Sequence, residues 1–124
     1  MIIEDTLQGE PPSKAIWYEV KRDENDNPVM FPQTRSKWIV DNIALLHGKY
    51  ERLSVDQFID VEIHYVTRSH KRTSELLRAF EYILCRVFIY SADQIRNVHI
   101  TKELSVPNDK EFKACIHNFT IKIV

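Results

Sequence analysis

The sequence predicts a small α+β domain in which two amphipathic helices pack on a four-stranded or larger mixed sheet. Three observations predict it. "FIDVEIHYV" alternates strictly between apolar and polar residues, the signature of a strand with one face on a core. "TRSKWIVDNIALLHG" and "TSELLRAFEYILCRVF" repeat their apolar residues at helical spacing. Further strand-like segments flank them, so the order reads strand(s), helix, strand, helix, strand, strand. With 124 residues and no internal repeat or linker, positions 1–124 are expected to form a single domain.

Taken in order, "MIIEDTLQGEPPSK" opens with a short apolar start and reaches a Pro-Pro turn. "AIWYEV" is strand-like, and "RDENDNP" is a polar loop rich in turn residues. After Pro32 the first helix carries Trp38, Ile39, Ile43 and Leu46 on one side, and Gly48 supplies a stop. In the central strand Ile59, Val61, Ile63 and Tyr65 point one way, while Asp60, Glu62 and His64 point the other. Thr73 or Ser74 is expected to cap the second helix and to place Glu75 in its first turn. Leu76, Leu77, Phe80, Ile83, Leu84, Val87 and Phe88 form its broad buried face. The loop "IYSADQ" ends this helix, and "IRNVHITKEL" is a strand with Val98 and Ile100 inward. "SVPNDKE" is a turn, and "FKACIHNFTIKIV" is the last strand, with a bulge expected near His117 where the apolar parity changes.

Composition narrows the function classes. A hydrophobic fraction of 44% fits a folded globular chain rather than a disordered one. No apolar run is long enough to span a bilayer and the N-terminus lacks a cationic leader, so a soluble, cytoplasmic protein is expected. Cys85 and Cys115 stand alone and read as small buried hydrophobes rather than a disulfide or zinc site. A net charge of −1 gives no global pull toward nucleic acid, so any such binding needs locally clustered cations. Arg68, Lys71, Arg72 and Arg78 supply such a cluster around the second helix start.

At this helix the chain resembles the RusA family of Holliday-junction resolvases, a largely prophage-encoded group acting in DNA recombination and repair. The resemblance covers nearly the whole length. "EPPSK" is similar to the family's Pro-Pro-Ser turn, "TRSKWIVDNIALL" to its first helix and "FIDVEIHYV" to its central strand. "HKRTSELLRAFEYIL" is similar to its basic run and second helix, "SADQI" to its acidic turn, and "RNVHITKEL" to the strand that follows. The resemblance implies a magnesium-dependent endonuclease that cleaves a phosphodiester at a four-way DNA junction, the ion activating water and stabilising the developing charge. It also implies a homodimer, since equivalent junction strands must meet equivalent sites.

Carried over position by position, the resemblance gives Glu75, Asp93 and Ser74 to the metal, and Glu75, Asp93 and Arg78 to catalysis. Arg68, His70, Lys71, Arg72, Arg78 and Lys102 go to nucleic acid, with Lys71 positioning the backbone and Arg72 and Arg78 stabilising phosphate charge. The sequence departs from the family where Asp-x-Asp-Asn is expected: it reads "RTSE" or "TSEL", and a hydroxyl is a far weaker magnesium ligand than a carboxylate. Glu75 and Asp93 also have ordinary explanations, as a first-turn residue on the helix dipole and as a turn residue. The basic run has one as well, as a solvated face. Asp60, Glu62 and His64 alternate nearly 7 Å apart, too far to share one ion easily. Trp17, Tyr18 and Trp38 read as core or interface residues rather than base-stacking platforms, and His47, His99 and His117 find no partner at motif spacing.

The expectation is therefore a branched-DNA binding domain whose magnesium-dependent cleavage is weakened or lost. The alternative is an inactive relative acting as a DNA-binding or protein-interaction module, since fold does not fix function.

Overall fold

The computed structural model describes residues 1–14, 17–33, 36–104 and 115–124, with side chains for all of these except 17–19 and 30–33. The expected "SVPNDKE" turn, the first residues of the last strand and the side chains of Trp17 and Tyr18 lie outside the described residues. The chain runs β1 (Ile2–Gln8), β2 (Trp17–Arg22), β3 (Pro28–Gln33), α1 (Lys37–Leu46), β4 (Ile59–Thr67), α2 (Thr73–Val87), a 3-10 turn (Ala92–Gln94), β5 (Ile95–Leu104) and β6 (Ile116–Ile123). Four strands form one sheet in the order β1-β6-β4-β5, and β2 and β3 pair as a separate antiparallel hairpin. β4 and β5 are parallel, whereas β6 is antiparallel to both of its neighbours. This is the mixed-sheet α+β domain that the alternation and the helical periodicities predict.

β4 is the spine of the core. Ile59, Val61, Ile63, Tyr65 and Thr67 are buried, and the intervening residues turn to the open face. Leu76, Ala79, Phe80, Ile83, Leu84 and Val87 of α2 join the buried β4 residues in one cluster with Ile39 and Leu46 of α1, so both helices lie on the same side of the sheet. Each large side chain taken out of water there contributes about 1.5–3 kcal/mol. Because β4 and β5 are parallel, the chain must travel back along the sheet between them, and α2 makes that return. The start of α2 therefore lies beside the end of β4, and its finish lies beside the start of β5.

Several local expectations are corrected. Residues 28–33 form β3, where the sequence predicts a loop at Pro28 and no element up to Pro32; a two-stranded hairpin leaves an outer edge on each strand where a missing N–H costs nothing. The α2 N-cap is Arg72, without a side-chain capping bond, and Thr73 is already helical. On β5, Val98 is 39% exposed and Ile100 only partly buried, because β5 is an edge strand incompletely covered by α2. The expected bulge at His117 is absent, since β6 keeps unbroken register with β1 and β4. The irregularity falls instead between Ile59/Asp60 and β5, where the pairing skips Arg96.

The parity of β6 changes because His117 itself occupies a core position, fully buried beside Phe119 and Ile121. Its Nδ1 accepts the Val66 N–H at 2.9 Å, and its Nε2 donates to the Gly9 carbonyl at 2.7 Å. These two backbone partners fix the neutral Nε2–H tautomer. The Trp38 indole donates to the same carbonyl at 3.0 Å, and both Trp38 and Tyr65 pack on the imidazole. Gly9 has φ +95, and a Cβ there would meet Trp38 at 3.2 Å. Next to it, the buried Asn42 side chain accepts from the Gln8 N–H at 2.8 Å and donates to the Gln8 carbonyl at 3.1 Å and the Trp38 carbonyl at 2.8 Å. Together Asn42 and His117 fasten the end of β1 to the core.

Candidate nucleic-acid interface

The end of β1 carries Glu10 to the loop between β4 and α2. Both Glu10 carboxylate oxygens accept the Arg68 N–H, at 3.2 and 3.0 Å. Lys71 Nζ lies 3.6 Å from Glu10 Oε1 and donates to Ser13 Oγ at 3.3 Å, and its side chain is only 10% exposed. From the other side, Lys102 on β5 donates to the Lys71 carbonyl at 3.1 Å. The basic run is thus held by the Pro-Pro segment and by the far end of β5, elements that meet only in the folded chain.

Arg68, His70, Lys71, Arg72 and Lys102 are gathered at the α2 N-terminus, whose first-turn N–H groups and dipole favour anions. His70 and Arg72 are exposed. Arg78 is also exposed but lies about 9 Å further along the helix by its rise. The cluster therefore divides. Arg72, His70 and Lys102 face outward, whereas Lys71 is committed to Glu10 and Ser13 and serves the loop rather than a DNA backbone. Glu10 is the residue that sequence reasoning missed. It stands 58 positions from Arg68, and no periodicity links them.

The metal assignment does not survive the topology within one chain. Glu75 is in the first turn of α2, and its N–H donates to the Arg72 carbonyl at 3.0 Å. Asp93 sits in the turn that precedes β5, its N–H held by Ser91 Oγ at 3.2 Å. α2 separates them, with about 18 Å of helix from Glu75 to Val87. A shared magnesium ion needs its oxygen ligands about 2 Å away, so these two carboxylates cannot both hold one. Ser74, beside Glu75, adds only a hydroxyl. Among the described residues no group of three or more His, Cys, Asp or Glu side chains is arranged to bind an ion.

Other titratable groups are structural. Burial pushes the Cys115 thiol up, aided by Glu10, whose Oε2 lies 3.6 Å from Sγ. Burial also raises the half-buried Cys85 thiol, and both cysteines are free. Arg96 and Asn97 hold the Asp60 carboxyl below its usual range. The Tyr50 hydroxyl donates to Asp5 at 2.6 Å, which raises it to about 12.

No described helix is long and apolar enough to cross a membrane. Compared with known proteins, the chain matches no family model and no curated sequence.

Proposed function

We propose that the chain is a RusA-like cytoplasmic domain that binds branched DNA, a four-way junction above all, through the cationic start of α2, with metal-assisted cleavage weakened or lost. The observation that carries this reading is the convergence of Lys102 from β5 on the Arg68–Arg72 loop, at the positive end of a 15-residue helix. A phosphate there meets side-chain cations and backbone dipole together. The separation of Glu75 from Asp93 supports the loss of chemistry, since only a second copy of the chain could bring another Asp93 to Glu75. A homodimer would present two such patches to the two-fold symmetric junction.

A double substitution, Arg72→Ala with Arg78→Ala, tests the patch. Titration of a labelled four-way junction should show wild-type affinity falling steeply between 50 and 200 mM salt. The double variant should bind about tenfold or more weakly at low salt, with its salt slope reduced by about 1–2. An unchanged affinity and slope would remove the α2 start as the DNA-binding surface.

A further inference from the structure

The outer face of α2 carries Arg78, Tyr82 and Arg86 in one row, each four residues after the last. The Arg86 guanidinium lies 5.0 Å from the Tyr82 ring centroid, and its Nη2 donates to the Tyr82 hydroxyl at 3.2 Å. Beyond the helix the pairing repeats. Arg52 lies 5.0 Å from the Tyr90 ring centroid while its Nη2 donates to the Cys85 and Arg86 carbonyls at 3.1 and 3.0 Å. Those carbonyl bonds explain where Arg52 sits, as a cation on the negative end of α2. They do not explain why Tyr90 is left 57% exposed.

Two clefts follow this row. One, of about 350 Å³, is lined by Arg78, Tyr82, Arg86 and Tyr90 among others; the next, of about 530 Å³, is lined by Arg52, Arg86, Tyr90 and His47 among others. They share Arg86 and Tyr90 and so lie side by side along one surface groove, each large enough for a flat ring. Glu81 rims the first and Glu51 the second, so three arginines against two glutamates leave a small positive excess.

We infer that this groove is the path of an unpaired DNA strand, with Tyr82 and Tyr90 stacking on bases while Arg78, Arg86 and Arg52 meet the phosphates. The inference rests on the branched-DNA reading, which supplies a strand at the start of the same helix. Every base offers a flat face to an aromatic ring, and guanidinium groups already held at the ring are placed to fork onto a phosphate. A duplex hides its base faces, so the groove prefers unpaired DNA. With so small a charge excess, stacking carries most of the affinity and the salt dependence is shallow.

The test is fluorescence anisotropy of the full chain with a labelled twenty-residue oligo-dT and with a blunt duplex of equal length. The wild type should bind the single strand more tightly than the duplex. Tyr90→Ala should weaken single-strand binding about fivefold or more with no change in salt slope, and Tyr90→Phe should restore it. Tyr82 is partly buried and its truncation could disturb packing, so it is read in the wild type instead. An iododeoxyuridine oligonucleotide, irradiated on the protein, should attach to Tyr82 or Tyr90 by peptide mass mapping. Absence of single-strand binding, equal affinity of Tyr90→Ala and wild type, or attachment only away from α2 and Tyr90 would overturn the inference. Blunt-armed junction binding lost in a variant carrying Arg72→Ala and Lys102→Ala, neither of which lines the groove, would stand through any of those results, so the two readings fail separately.

Discussion

Acidification from pH 7 to pH 5 is expected to destabilise this fold through one imidazole, that of His117. Burial holds its pKa below the usual 6.5, against the Gly9 carbonyl and Glu10, which raise it, and with His64 adding to the lowering. The native chain therefore keeps the ring neutral while the unfolded chain takes up a proton as pH falls past about 6.5. Stability from this site is complete above that value and declines as pH drops toward the native pKa. The slope is at most about 1.4 kcal/mol per pH unit, the limit for one proton. The structural cause is specific: a proton on Nδ1 would face the Val66 N–H that it now accepts. Urea unfolding at a series of pH values checks this. His117→Leu should lose about 2–4 kcal/mol at pH 7, since the Val66 N–H loses its partner and the Gly9 carbonyl loses one of two. It should also lose the part of the pH slope that belongs to this ring. A wild-type stability flat from pH 7 to 5 would contradict the assignment.

Asn42→Asp should have the opposite pH signature and a larger cost at neutral pH. Asn42 is 1% exposed, and two of its three hydrogen bonds are donated by the side-chain NH₂ to carbonyls. A carboxylate of the same shape keeps the Gln8 N–H but sets a negative oxygen against the Gln8 and Trp38 carbonyls. Leaving such a charge buried and uncompensated costs about 3–5 kcal/mol. Its native pKa would rise, so the penalty is absent below the unfolded value of about 3.9 and grows as pH climbs. The variant should be markedly less stable than wild type at pH 7, with the gap closing toward pH 4. A constant difference across that range would mean that the variant buries no charge at this position.

The faces of the elements were legible in the sequence, and the meetings of the loops were not. Alternation from Ile59 to Tyr65 predicts the buried side of β4, and the spacing from Leu76 to Val87 predicts the buried side of α2. His117 broke the apolar parity of β6 because its polarity is satisfied by two backbone groups, Val66 and Gly9, that no local window contains. β3 was hidden by two prolines that a two-stranded hairpin tolerates. At the candidate site the cations were legible as a run, and Lys102 rightly joined them at the α2 start. The role of Lys71 was not legible, since it depends on Glu10, 61 positions away. Nor could spacing reveal that α2 itself separates Glu75 from Asp93; that follows only once β4 and β5 are known to be parallel.

The most direct test of the central claim is incubation of the purified chain with a labelled four-way junction, in magnesium, in manganese and in EDTA. A shifted, salt-sensitive complex with the junction strands intact is expected in all three. Paired, metal-dependent nicks near the branch point, lost in Glu75→Gln and in Asp93→Asn, would contradict it and restore these carboxylates to an active metal centre built between two copies.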